Sequence, residues 1–164
     1  MDKINKLKSL PKILLFAYNR PDHLKSTLKS LQQNKFYNLF EIIIFCDGPK
    51  NKSEIEKIKK VRNIVKNIKG FKSKQSILNQ KNIGLSKSII KGITYAFTNK
   101  STDSVIVLED DLNFNKFFLE YMCNCLDKYK HHKNIGSISG YSFFKDNKNF
   151  IDKLYITPRH SSWG

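Results

Sequence analysis

The residues with the most chemistry in them stand together. Glu109, Asp110 and Asp111 follow Val105–Ile106–Val107–Leu108 without a break. Four apolar residues, three of them β-branched, predict a strand buried on both faces, as in parallel sheets. Carboxylates at the end of such a strand predict a ligand site, because open α/β folds bind ligands at that sheet edge. Crowded carboxylates repel one another unless positive charge sits among them. A divalent ion bridging them to a phosphorylated ligand would supply it, since hard oxygen donors suit Mg²⁺ or Mn²⁺. A solvated acidic turn ahead of the next helix would be written with the same residues.

Other chemistries lack their residues. None of the seven glycines builds G-x-G-x-x-G or a Walker A loop, which argues against dinucleotide oxidoreductases and P-loop NTPases. No G-x-S-x-G elbow is present. His23, His131, His132 and His160 have no zinc-ligand spacing with Cys46, Cys123 and Cys125. Three cysteines make no complete disulfide framework and are expected to be buried or half-buried thiols of a reducing compartment.

The elements that must position the acidic triplet alternate between strand and helix. Ile13–Tyr18 is a continuous apolar run, broken by Asn19–Arg20–Pro21, with Pro21 suited to a first helical turn. Leu24, Leu28 and Leu31 then give one helical face. Glu41–Cys46 is a second buried strand, stopped by Asp47–Gly48–Pro49. Ser53 is expected to cap a helix striped by Ile55, Ile58, Val61, Val65 and Ile68 and ended by Gly70. A short strand over Ser76–Asn79 leads through Asn82–Ile83–Gly84 to a helix expected to bury Leu85, Ile89, Ile93, Ala96 and Phe97. After the triplet comes a helix from about Asn115 to His132, with Phe118, Tyr121, Met122, Cys125 and Tyr129 inward. Further strands are expected at Ile135–Gly140 and Lys153–Ile156. This alternation predicts an α/β fold with a mostly parallel sheet covered on both faces. Right-handed crossovers would bring Tyr18–Arg20, Asp47–Gly48 and Glu109–Asp111 to one sheet edge.

A chain of 164 residues fits one domain: a basic lead-in over 1–11 and a single domain over 12–164. It has no apolar run long enough for a membrane span and no secretory signal pattern, so a cytoplasmic domain is expected. The net charge is +16, yet only three of the 30 basic residues are Arg, and Lys is spread over every predicted helix. A nucleic-acid module would cluster Arg with aromatics, so no nucleic-acid partner is expected, although a basic nucleic-acid-binding protein remains the alternative of another class. The charge favours nucleotide phosphates and, peripherally, anionic membrane surfaces.

Five segments carry a resemblance: Phe16–Asp22, Cys46–Pro49, Asn82–Leu85, Val105–Leu112 and Ser161–Gly164, in that order. Together the chain resembles the bacterial family-2-type glycosyltransferases of the GT-A (Rossmann-like) nucleotide-diphospho-sugar transferase fold, near the N-acetylglucosaminyltransferase I group. The resemblance implies a nucleotide-sugar donor, usually UDP-linked, an Mn²⁺ or Mg²⁺ ion, and inverting transfer to a glycan, lipid-linked or protein acceptor in cell-surface polysaccharide synthesis. By position, Asp111 would be the metal ligand, Asp110 would face the ribose or sugar, and Glu109 the sugar or the metal's surroundings. Asp47 would accept a hydrogen bond from uracil, Ala17 and Tyr18 would wall the base pocket, and Arg20 would meet the diphosphate. The weaker alternatives are a solvated cap-region cation for Arg20 and an ordinary turn aspartate for Asp47. Asn82 and Lys87 are further donor-site candidates that could merely cap or solvate a helix. Similar enzymes continue past Ser161–Gly164, so the catalytic base is expected beyond Gly164, and a non-catalytic nucleotide-sugar-binding fragment is the alternative. Tyr155, Ile156 and Trp163, close to the end of the chain, are expected to favour self-association when salt screens the lysines.

Overall fold

The computed structural model describes residues 9–98 and 102–141. The expected strand over Lys153–Ile156 and the Ser161–Gly164 segment lie outside the described residues. Eight elements alternate: β1 Lys12–Ala17, α1 Pro21–Gln32, β2 Glu41–Cys46, α2 Ile55–Asn67, β3 Ser73–Leu78, α3 Leu85–Thr98, β4 Val105–Glu109 and α4 Phe118–Tyr129. The four strands form one wholly parallel sheet in the order β3-β2-β1-β4. β1 is central, pairing Ile13 with Ile42 on one side and with Ile106 on the other. Such strands must be apolar on both faces, which is why β1 and β2 read as unbroken hydrophobic runs.

The alternation of side chains across each strand divides the core in two. On one face Ile13, Leu15, Ile42, Ile44, Ile106 and Leu108 pack beneath Leu24, Leu28 and Leu31 of α1, Val61 and Val65 of α2, and Leu119 and Met122 of α4. On the other, Leu14, Phe16, Ile43 and Phe45 pack beneath Ala96 of α3, with Ile89 and Ile93 alongside. Helices therefore cover both faces, as the alternation predicts.

Four expectations are corrected. The strand expected at Ser76–Asn79 begins at Ser73; its first residues are an exposed, polar edge with no hydrophobic signature. α3 does not bury Leu85 or Phe97, which are 49% and 40% exposed. It meets the sheet through Ser88, Gly92 and Ala96, because Phe16 and Phe45, stacked with centroids 5.1 Å apart, already fill the space. A Cβ on Gly92 would come within 2.6 Å of the Phe16 ring. Asn51 rather than Ser53 caps the turn before α2, its side chain accepting from the Ser53 N–H at 3.1 Å. Ile135–Gly140 is irregular, not a strand.

Candidate functional site at the carboxyl edge of the sheet

β1 connects to β2 on one side, while β4 lies on its other side; the strand order reverses between them. Ligands of open α/β sheets bind outside the carboxyl ends of strands at such a switch point. A cavity of about 350 Å³ opens there, lined by Phe16 to Arg20, Phe45, Asp47, Lys50, Asn82, Gly84, Leu85, Ser88, Glu109 and Asp110. The loops after β1, β2 and β4 thus converge, as expected.

Asp110 is the hinge of this convergence. It is 1% exposed. One of its carboxylate oxygens accepts the Tyr18 backbone N–H at 3.0 Å, and the other pairs with the Arg20 guanidinium. Its backbone carbonyl accepts the hydroxyl of Thr27, buried in α1, at 2.9 Å. Arg20 donates its second arm to Asp111 Oδ2 at 2.6 Å. The fork of one guanidinium thus supplies the positive charge that crowded carboxylates require. Burial alone would lower the Arg20 pKa, but Asp110 and then Asp111 outweigh it and hold the guanidinium more firmly protonated than usual. Glu109 lines the cavity unpaired with Arg20, and its carboxyl is pushed up, first by burial and then by the charge of Asp111.

Asp47 organises the opposite wall. Its carboxylate accepts the backbone N–H groups of Gly48 at 3.0 Å, Ile83 at 3.0 Å and Gly84 at 3.0 Å, and the Asn79 side chain at 3.3 Å. The loop after β2 is therefore tied to the loop before α3. Gly48 is required there, since a Cβ would lie 2.6 Å from the Lys81 backbone. Gly84 turns the chain into α3 at φ 83°, a conformation that favours glycine. A uracil bond to Asp47 would have to share an oxygen that is already engaged. Asn82 bridges the same loops, donating to Gly48 O at 3.3 Å.

At the mouth, Glu54 gathers three groups that the sequence does not connect. It accepts the Tyr18 hydroxyl, the Asn19 side chain at 3.0 Å and the Lys50 backbone N–H at 2.8 Å. The Lys50 ammonium stands 5.7 Å from the centre of the Tyr18 ring. Burial, then the bond to Glu54, raises the Tyr18 phenol to about 12. The same bond is the largest cause lowering the Glu54 carboxyl.

Of the residues singled out in the sequence, Ala17, Tyr18, Arg20, Asp47, Asn82, Glu109 and Asp110 line one cavity, and Asp111 is joined to it through Arg20. Lys87 is exposed on α3 and is not among the lining residues. Thr27, Lys50, Glu54, Asn79 and Ser88 were not anticipated. Thr27 had a signal: it is a hydroxyl on the helix face of Leu24, Leu28 and Leu31, which points into a core where polar groups need partners.

Among curated proteins none matches the chain. The family model described as "Glycosyl transferase family 2" matches residues 12–160, nearly the whole of it. The chain belongs to glycosyl transferase family 2. Solved structures similar to it include S. aureus TarS, at 18% identity and a TM-score of 0.47, covering 73% of this chain and 20% of that one. A shorter TarS structure, residues 1–349, gives 18% identity and a TM-score of 0.48, covering 73% and 33%. The chain therefore spans a fifth to a third of the length of these TarS chains.

Within a family 2 domain, the triplet can be tested for fit to a divalent ion. Among the described residues no group of three His, Cys, Asp or Glu side chains forms a ready metal cage. Mg²⁺-type ions are commonly held by one or two carboxylates plus substrate phosphates and water. Asp111 suits that arrangement: its Oδ1 is buried and has no hydrogen-bond partner among the described residues, while Oδ2 is held by Arg20. The donor set fits a hard cation shared with a ligand. Among the described residues no helix is long and apolar enough to cross a membrane.

Proposed function

We propose that this chain is the donor-binding part of a metal-dependent, inverting glycosyltransferase that takes a sugar from a UDP-linked donor for a glycan, lipid-linked or protein acceptor. The observation that carries the reading is the Arg20–Asp110–Asp111 cluster, with an unsatisfied Asp111 Oδ1, at the switch point of a family 2 sheet. The position of the Glu-Asp-Asp triplet after β4 is what favours kinship with the N-acetylglucosaminyltransferase I group.

Each residue then has a task. Tyr18, fixed by Glu54, walls the nucleoside, with Ala17 beneath it. Arg20 carries permanent positive charge at the N-terminus of α1, where a diphosphate finds favourable electrostatics. Asp110 keeps Arg20 and the Tyr18 backbone in register, so the cation and the wall stay aligned. Glu109, which lines the cavity, would face the sugar. Asp111 would hold a divalent ion, Mn²⁺ or Mg²⁺, which would supply charge to neutralise the leaving diphosphate without proton transfer. The acceptor hydroxyl attacks an oxocarbenium-like anomeric carbon and needs a carboxylate base nearby. Among the described residues none stands out for that task.

Titration of the chain with UDP by calorimetry, with Mn²⁺ and in EDTA, tests the reading. Binding should strengthen with the ion, and Asp111→Ala and Asp111→Asn should both lose that gain, because a neutral amide is a poor ligand for a hard cation. Equal UDP binding in Mn²⁺ and EDTA would rule out a metal site of this kind.

A further inference from the structure

A heterocyclic base that enters the cavity loses its water and needs new hydrogen-bond partners for its polar edge. Away from Arg20 and the acidic triplet, the cavity is bordered by Phe16, Phe45, Leu85, Asp47, Asn82 and Ser88. The polar candidates differ in what they have left to offer. Asp47 already accepts four donors, and Asn82 donates to Gly48 O. Ser88 is 5% exposed, and its Oγ is buried with no hydrogen-bond partner among the described residues. A helical serine can satisfy its hydroxyl on the carbonyl four residues back. Here Gly84 O takes the Ser88 backbone N–H at 3.0 Å and not the hydroxyl. A buried polar group without a partner is uncommon in native proteins and calls for a reason.

We propose that Ser88 is a specificity-determining contact of the nucleotide site, its hydroxyl hydrogen-bonding the polar edge of the donor's base. The inference rests on the nucleotide-sugar reading above and goes beyond it, because it adds a contact to the base from the first turn of α3. Asp47 fixes the Ile83–Gly84 entry to that helix and so positions Ser88. A hydroxyl can donate to a keto oxygen and also accept from a ring N–H, and both groups are present on uracil.

The test is calorimetric titration of the full chain and of Ser88→Ala with UDP and with inorganic diphosphate, which lacks the base. A lost hydrogen bond predicts UDP binding about five- to tenfold weaker in the variant, with diphosphate binding unchanged. Ligand-free Ser88→Ala should melt no lower than wild type, because alanine removes an unsatisfied hydroxyl and favours the helix. Equal UDP affinity in both proteins would mean that the hydroxyl holds only water, and would overturn the inference alone. An equal loss for diphosphate, or a lower melting temperature without ligand, would also overturn it, since the hydroxyl would then act elsewhere. Failure of the wild type to bind UDP or other nucleoside diphosphates would instead overturn the nucleotide-sugar reading, and this inference with it.

Discussion

Replacing Asp47 by alanine tests whether the wall of the cavity is built as described. The side chain is 7% exposed and accepts three backbone N–H groups and one side-chain amide. Hydrogen bonds to a charged group are each worth about 1.5–3 kcal/mol net, and a buried donor left unpaired costs about 1–3 kcal/mol. Asn79 can turn its amide toward the solvent, and water can enter from the cavity for one more donor. That leaves about two orphaned backbone N–H groups, and an expected loss of about 3–5 kcal/mol. For a domain of this size the melting temperature should fall by about 10 °C. A fold of ordinary stability, about 5–15 kcal/mol, would still be populated, so the variant can be studied. Asp47→Asn keeps one oxygen but turns an NH₂ toward a donor, and should lose about 2 kcal/mol. Thermal melts give the totals, and hydrogen exchange gives the place: the Gly48, Ile83 and Gly84 amides should exchange faster, ahead of the β1 and β2 amides. A variant that melts like wild type and protects those three amides, yet loses UDP, would show that Asp47 is a ligand contact and not part of the scaffold.

Two further perturbations follow from the packing and from the mouth of the cavity. Gly92→Ala would press a Cβ on the stacked Phe16–Phe45 pair, and chemical denaturation should show a loss of about 1–3 kcal/mol, the usual range for overpacking; an unchanged midpoint would refute the close approach of α3. Glu54 has a depressed pKa, owed first to the Tyr18 hydroxyl, so its bonds stabilise the fold above the ordinary glutamate range and fade as the pH drops through the lowered value. Glu54→Gln should therefore melt below wild type at pH 7 and approach it in acid, and a gap that persists in acid would refute the assignment.

Much of the fold was legible because burial on both faces leaves a plain mark. Ile13–Phe16, Ile42–Phe45 and Val105–Leu108 could hardly be anything but inner parallel strands, and their order along the chain set the edge where Arg20, Asp47 and the acids meet. What stayed hidden was decided by partners rather than by pattern. α3 turns its small residues to the sheet because two phenylalanines face it, so counting apolar side chains finds Ile89, Ile93 and Ala96 but wrongly adds Leu85 and Phe97. Ser73–Gln75 joins the sheet through its backbone, and its Lys74 and Gln75 side chains bond polar groups of α2 and α3, so it carries no hydrophobic mark. Glu54 looks like any acid near a helix start, and only the fold brings it to Tyr18. The acidic triplet was visible as a group, but the division of labour within it, with Asp110 sealed and Asp111 half-satisfied, depends on where one arginine reaches.

The placing of β4 beside β1 also bears on how the chain reaches this state. The bond from Tyr18 N to Asp110 joins residues 92 apart in sequence, and the Arg20 pairs span 90 and 91. By contrast, β1 and β2 are joined through one α-helix and a short 3-10 turn, and so are β2 and β3. Closing a long loop costs more entropy than closing a short one, and contacts of that kind slow folding. Three strands can therefore assemble from near neighbours while the acids are still far from their arginine. A nascent chain that has not yet extended through Val105 carries Arg20 without its carboxylate partners, so the cation–carboxylate cluster can close only after β4 and the residues behind it have been made.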